Sequence, residues 1–269
     1  MKAFASDLDR TLIYSKKMIE AYGAETDYQL IETLEGKEIS YISEKTKENL
    51  RKICENMLFI PVTTRTTEQY KRITLFQETI VPEYAITTNG GCILKNGMPI
   101  REWSGYIEKK LQSCMPISDM LEEIAKLPVS HAAERVRTAH HYFVYLIFAE
   151  ENVCKINASA AKAWAADKGW QVSSQGRKLY FIPEPLNKWS AVDYLKRELK
   201  LEKVYAAGDS LLDFDLIAQA DYGVSPAHGE VLHHDPDLNR TMRPGMKAAD
   251  EITEHIVNLS SPSAKENIF

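Results

Sequence analysis

Lys2-Ala3-Phe4-Ala5-Ser6-Asp7-Leu8-Asp9-Arg10-Thr11 decides the fold. A short, mostly apolar run stops abruptly at two carboxylates and a hydroxyl. A strand buried on both faces reads as continuous apolar residues rather than as an alternation, so Ala3 to Ser6 suit a central parallel strand. That strand delivers Asp7 at its carboxyl end. Asp7 and Asp9 stand two positions apart, the period that aims strand side chains the same way, and Thr11 can join them. A solvated acidic turn could carry the same residues. The apolar lead-in and three further motifs downstream weigh against it.

Working outward, the same grammar recurs. Ser43 is a cap for a helix beginning Glu44-Lys45-Thr46, and Met57-Leu58-Phe59-Ile60-Pro61-Val62 supplies a second buried strand. Thr63-Thr64-Arg65 follow it, placing hydroxyls where the next helix, Thr66 to Leu75, begins, a position suited to phosphate oxygens. Tyr84-Ala85-Ile86-Thr87 is a third core strand, and Asn89-Gly90-Gly91 a turn. The stretch from Ile13 to Ser43, broken by Gly23 and Gly36, reads as a loop or flap with short elements.

The core pattern then pauses. Residues 91–185 read as a hairpin (Cys92 to Ile100), a helix (Ile107 to Leu127), two strands (Glu134 to Thr138, Tyr142 to Phe148), a helix (Asn152 to Lys168) and two closing strands (Gln171 to Ser174, Lys178 to Ile182). Strands followed by a helix, twice over, indicate a separate, smaller α/β lid. After Lys188 the core resumes with a helix (Ala191 to Glu198), the strand Val204 to Ala207, the acidic turn Gly208-Asp209-Ser210-Leu211-Leu212-Asp213, a helix through Ala218 and a strand Tyr222 to Val224. The expectation is an α/β protein with a discontinuous Rossmann-like core, residues 1–90 and 186–269, and a cap over residues 91–185. A loose tail is expected from Ser260 to Phe269.

Composition excludes several classes. The chain has 269 residues, 44% hydrophobic and 26% charged, with a net charge of -5. These are values of a globular protein, and the negative balance disfavours nucleic acid as a partner. The first residues carry no basic segment followed by a long apolar one, so no export signal or membrane anchor is expected and a cytoplasmic setting is. Cys54, Cys92, Cys114 and Cys154 lie too far apart for a thiolate metal site and read as reduced packing residues. His233-His234-Asp235 resembles a ligand cluster, but adjacent residues on an irregular segment seldom converge on one ion, and a polar surface loop is the preferred reading.

Asp209 and Asp213 add two carboxylates at the end of a parallel strand, where open α/β sheets bind ligands. Carboxylates gathered around a phosphate repel by roughly 4 kcal/mol per unit-charge pair at about 4 Å and an effective dielectric of about 20. A cation is therefore required, and oxygen-only ligation beside phosphate favours magnesium. Lys188 could return one positive charge to the same strand ends.

In order and spacing, these four motifs resemble the haloacid dehalogenase (HAD) superfamily over nearly the whole chain. The intervening lid resembles a type IIB cap, and Asn89-Gly90 matches the turn of Cof-like and sucrose-phosphatase-like phosphatases. The resemblance implies a magnesium-dependent phosphomonoesterase acting on a small phosphorylated metabolite: a sugar, polyol or nucleotide-like phosphate. It implies Asp7 as nucleophile and Asp9 as proton carrier. Magnesium would be held by Asp7, the Asp9 carbonyl, Asp209 and Asp213, and the phosphoryl oxygens by Thr63 and Lys188. Thr11, Thr64, Arg65, Asn89, Gly90 and Ser210 complete the expected phosphate site. Two departures stand out: Thr64 replaces the family's frequent glycine before the arginine, and Leu212 replaces an asparagine that would hydrogen-bond the metal shell. The lid is expected to choose the substrate, with Arg135, Arg137, His140, His141, Arg177 and Tyr180 as candidates and Trp189 as a stacking surface. A phosphomutase and a non-catalytic binding module remain as alternatives.

Overall fold

A computed structural model of the chain describes residues 1–23, 27–155 and 158–260, with no described side chains for 154–160. Most of the expected tail and the Cys154 side chain lie outside that set. The chain divides into two compact units, Met1–Pro99 with Lys188–Phe269, and Ile100–Asn187.

The first unit opens with β1 (Lys2–Ser6), followed by α1 (Lys16–Tyr22) and the antiparallel hairpin of β2 (Tyr28–Leu34) and β3 (Lys37–Ser43). The expected flap thus contains a helix and a hairpin. Next come α2 (Glu44–Asn56), β4 (Leu58–Pro61), α3 (Thr67–Lys71), β5 (Tyr84–Thr87), β6 (Cys92–Lys95) and β7 (Met98–Pro99). Because β6 pairs antiparallel with β5, this hairpin stays with the core, and the first division falls at Pro99, nine residues beyond the expected one.

The second unit holds α4 (Arg101–Leu111), α5 (Ile117–Ala125), the short α6 (Pro128–His131), β8 (Arg135–Ala139), β9 (Phe143–Ile147), α7 (Ala158–Ala166), β10 (Trp170–Gln175) and β11 (Lys178–Pro183). Its sheet runs in the order β10-β11-β9-β8 and is antiparallel throughout. One expectation is corrected here: Ile107 to Leu127 is two helices. Pro116 cannot continue a helix and forces the preceding residue into an extended conformation. The freed backbone is taken up by Met115, whose N–H donates to Lys168 at 2.9 Å and whose carbonyl accepts from the Trp170 indole at 2.9 Å.

The chain returns through α8 (Lys188–Glu198), β12 (Lys203–Ala207), α9 (Phe214–Gln219), β13 (Tyr222–Val224) and α10 (Met246–Ser260). The parallel sheet has the order β13-β12-β1-β4, and β5 continues it through a bridge between Val62 and Ile86. In β1, Ala3, Phe4 and Ala5 are fully buried, and Phe4 stacks on Phe59 with ring centroids 5.9 Å apart. Burying such a ring contributes roughly 1.5–3 kcal/mol. Against this sheet α2 and α10 share a buried polar seam: Asp250 accepts from Ser43 Oγ and from Thr46 Oγ1, and Asn49 donates to Thr253. Ser43 also caps α2 by accepting from the Thr46 N–H.

The consequence for function is positional. From β1 the chain moves to β4 and β5 on one side and later to β12 and β13 on the other. Asp7, Thr63, Asn89 and Asp209 all follow the carboxyl ends of adjacent strands, the crevice where open α/β sheets bind ligands.

Candidate active site

Asp7 leaves β1 with its N–H bonded to the Ala207 carbonyl at 2.9 Å, so the strand pairing with β12 continues into the site. The chain then turns tightly, with the Leu8 carbonyl accepting from Thr11, Leu12 and Ile13. That turn folds Thr11 back onto Asp7, its Oγ1 donating to Asp7 Oδ2 at 3.1 Å. It also holds Arg10 at φ 66°, a left-handed conformation that costs an arginine on the order of 1 kcal/mol.

Lys188, in the first turn of α8, is 1% exposed. Its ammonium donates to Asp7 Oδ1 at 2.6 Å and to Asp213 Oδ1 at 2.5 Å. The other Asp213 oxygen accepts from the Ser210 N–H at 3.0 Å and the Ser210 hydroxyl at 2.7 Å. Here the Leu212 departure finds its answer: Leu212 is buried as an apolar residue, and Ser210 with Lys188 orients Asp213 instead. Gly208 makes this turn possible, because a Cβ there would lie 2.3 Å from the Asp213 Cβ.

One oxygen from each of Asp7, Asp209 and Asp213 can be chosen so that all lie within 4.8 Å of one another. Three buried carboxylates face two cationic side chains among the described residues, Lys188 and Arg10, whose Nε lies 3.0 Å from Asp209 Oδ2. The imbalance shows in the acidities. Burial, with Asp213 adding to it and Lys188 opposing, pushes Asp7 up to about 7. Burial followed by the charge of Asp7 pushes Asp209 well above the carboxylate range. For Lys188 burial acts downward, but Asp213 and Asp7 outweigh it and its pKa rises. An oxygen-only cluster with uncompensated negative charge fits a hard divalent cation. Among the described residues it is the one such group of three or more potential ligands, and His233 and His234 are exposed.

Thr63 is fully buried after β4. Its N–H donates to Ile86 and its carbonyl accepts from Asn89, both across to the β5 end, while its hydroxyl accepts from the Arg65 N–H at 3.1 Å. Thr88 and Asn89 both have positive φ, 51° and 56°. Asn89 tolerates this, whereas for β-branched Thr88 it is a true outlier. Thr64 is half-buried beside them. Arg65 grips both oxygens of Asp9, Nε to Oδ2 at 2.7 Å and Nη2 to Oδ1 at 2.8 Å. The Asp9 side chain is still 46% exposed, so it remains accessible.

Of the residues expected of the core site, Asp7, Thr11, Lys188, Asp213 and Ser210 are joined by hydrogen bonds, Asp209 lies beside Asp7 and Asp213, and Asp9, Thr63 and Arg65 meet at the neighbouring strand ends. Arg135, Arg137, His141 and Arg177 are exposed residues of the second unit, whereas Tyr180 is buried there beside Tyr145 and Phe143. Trp189 lies under Lys196, 5.9 Å from ring centroid to ammonium. Arg10, Glu32 and Glu230 are additions that the sequence reading did not contain. Arg10 bonds Glu230 at 2.8 Å, and its place directly after Asp9 in the acidic motif was the available signal.

Comparison with known proteins follows the same line. The sequence matches the family described as sucrose-6F-phosphate phosphohydrolase over residues 1–256. The chain belongs to that family. It is accordingly a phosphomonoesterase of the HAD superfamily. Among solved structures it is similar to the sucrose-phosphatase of Synechocystis in complex with sucrose and phosphate, at 19% identity and a TM-score of 0.64, covering 94% of this chain and 97% of that one. A haloacid dehalogenase-like hydrolase from Bacteroides thetaiotaomicron shares 16% identity at a TM-score of 0.60, covering 95% and 99%. A HAD subclass IIB sugar phosphatase shares 12% at 0.64, covering 95% and 98%. At these identities the likeness is one of fold. No curated protein sequence matches, and no helix among the described residues is long and apolar enough to cross a membrane.

The loop that carries Arg10 has its own acid sensitivity. His228 Nδ1 accepts from the Gly245 N–H at 3.1 Å and Nε2 faces the Arg10 carbonyl at 2.9 Å, so both partners are satisfied by the neutral ring protonated on Nε2. Burial lowers its pKa from 6.5 to about 4. The unfolded chain thus binds a proton that the folded chain refuses. The contribution is present above 6.5 and is lost as pH falls from there toward 4. The thermal midpoint of the native protein should fall more steeply over that window than that of His228→Gln. Parallel curves would remove His228 as the cause.

Proposed function

We propose that this phosphatase hydrolyses a small phosphorylated metabolite of the sugar-phosphate kind through an aspartyl-phosphate on Asp7, with Asp9 as proton carrier and magnesium as cofactor. The observation that carries the reading is the convergence of Asp7, Asp209 and Asp213 within 4.8 Å, with Lys188 bridging Asp7 and Asp213.

In the first half-reaction an Asp7 oxygen attacks phosphorus, the bond from phosphorus to the leaving oxygen breaks, and Asp9 donates its proton to that oxygen. In the second, Asp9 takes a proton from water as the water attacks phosphorus, releasing inorganic phosphate and restoring the Asp7 carboxylate. Lys188 and Thr11 fix the Asp7 carboxylate in direction, so little reorganisation is needed at the moment of attack. Thr63 and Thr64 present hydroxyl donors at the strand ends for phosphoryl oxygens, whereas the donors of Arg65 and Ser210 are already committed to Asp9 and Glu32 and to Asp213. Asp7, Asp209, the Asp9 carbonyl and Asp213 would hold magnesium, Asp213 directly or through water. When bound, the ion offsets negative charge that otherwise repels a phosphate dianion. A sugar phosphate as substrate is supported by the family and by the sucrose and phosphate named for the Synechocystis relative. For the exposed arginines Arg135, Arg137 and Arg177 and for His141, a part in selecting that sugar is proposed on their chemistry alone.

The test is release of inorganic phosphate from a panel of phosphorylated sugars and polyols, with magnesium and with excess chelator. Turnover should require the ion and should fall by about 10²-fold or more in Asp9→Asn. Chelator-resistant turnover, or an Asp9→Asn enzyme as fast as the native one, would sink the reading.

A further inference from the structure

Behind Asp9 lies a second layer that the reaction as described does not use. Arg65 holds Asp9 with one edge of its guanidinium, Nε and Nη2. Its remaining nitrogen, Nη1, donates to Glu32 Oε2 at 2.7 Å, and Nη2 is also 3.1 Å from Ser40 Oγ. Glu32 is 1% exposed and accepts two more bonds, from Ser40 Oγ at 2.7 Å on Oε2 and from Arg72 Nε at 3.1 Å on Oε1. A planar guanidinium gripped along both sides cannot swing, which is what bidentate pairing supplies beyond its energy.

The hairpin is shaped to place this carboxylate. Glu32 and Ser40 are register partners on β2 and β3, and the register shifts on both sides of Glu32. Regular alternation would turn one of two consecutive residues outward. Here Ile31 and Glu32 are both buried, because an irregularity re-aims one side chain, a common use of bulges near active sites. The hairpin is tied down beside it, with the Ile31 carbonyl accepting from the Thr74 N–H at 2.9 Å and from its hydroxyl at 3.0 Å. A buried glutamate is costly unless fully paired, and this one is paired with two arginines, Arg65, which is the proton carrier's own partner, and Arg72.

We infer that Glu32, supported by Ser40, is a positioning residue: it fixes Arg65 and through it holds Asp9 where a proton can reach the leaving group. The inference rests on Asp9 being the proton carrier. Replacing Glu32 by Gln removes the charge that pairs with Arg65 and sets an amide N–H against one of the two guanidiniums, so the second anchor of Arg65 is weakened while Asp9 itself is untouched.

The experiment compares two phosphate monoesters on the same enzyme preparation with magnesium. Phenyl phosphate leaves as a basic phenolate and needs the proton; 2,4-dinitrophenyl phosphate leaves as a stable anion and does not. The quantity compared is kcat/KM, which reports steps up to and including the first phosphoryl transfer. Glu32→Gln should lower it about tenfold for phenyl phosphate and less than about threefold for the dinitrophenyl ester, a fraction of what a general acid contributes in full. Ser40→Ala should move the ratio the same way by less, and Glu32→Asp should restore part of it. Because the ratio is taken within one preparation, a smaller folded fraction cancels. Equal losses on both esters would mean a merely structural role and overturn the inference, as would no loss on either. A native enzyme that hydrolyses both esters but whose Asp9→Asn variant shows no preference between them would overturn the proton-carrier reading first, and this inference with it.

Discussion

Replacing Asp7 by Asn is expected to slow phosphate release by at least about 10⁴-fold, the scale on which removal of a nucleophile is felt when neighbouring groups act with it as a unit. The lone pair of the amide nitrogen is delocalised into the carbonyl, and the amide oxygen is a far weaker nucleophile than a carboxylate. The protein should stay folded, because burial already pushes the Asp7 pKa up to about 7, so in the ion-free protein near neutrality the change in charge is partial. Phosphate release and a thermal scan measure the two halves of this expectation. Trapping adds a third: native enzyme quenched during turnover should carry a hydroxylamine-labile phosphoryl group, and the variant should not. Residual turnover within about tenfold of native would transfer the nucleophile's part to another group.

How far this site was legible in the sequence depends on whether its parts are carried by strand ends. Asp7, Thr63 and Asp209 each follow an apolar run that reads as a buried parallel strand, and the carboxyl ends of such strands face the ligand crevice, so pattern placed them at one edge of the sheet while their roles came from the family resemblance. Lys188 looks like any surface lysine in the sequence. Its value comes from α8 starting where it does, beside two carboxylates 181 and 25 positions away. Glu32 was illegible for a physical reason: the irregular register of β2 breaks the alternation that would have marked a half-buried strand, so Ile13 to Ser43 read as a flap. Pro116 did carry its signal. A proline inside a helical pattern ends the helix, and the single helix expected over Ile107 to Leu127 gave periodicity too much weight against it. Leu212 shows the opposite limit. A missing hydrogen-bonding side chain suggests a weakened metal shell until the Ser210 N–H and hydroxyl are found in its place.

The second large effect concerns charge rather than chemistry. Lys188→Met keeps the length and volume of the side chain but removes the ammonium from between Asp7 and Asp213, leaving three buried carboxylates against Arg10 alone. Removing one partner of a buried ion pair typically costs about 3–5 kcal/mol, because the remaining charge is left unpaired. At roughly 2–4 °C per kcal/mol for a chain of this size, the thermal midpoint should fall by about 10 °C in chelator. Two further measurements separate charge from shape. Millimolar magnesium should return more of the lost midpoint to Lys188→Met than it adds to the native protein, since an ion that binds only the folded state stabilises it by mass action and here also replaces the missing charge. Adding Asp213→Asn to Lys188→Met should recover stability, the two changes coupling by about 1–3 kcal/mol in a double-mutant cycle. If the single variant melts with the native protein in chelator, or the double variant is worse by the sum of its parts, then the ammonium does not balance these carboxylates. Lys188 would then be a packing residue, and the case for a cation beside it would rest on Asp7 and Asp209 alone.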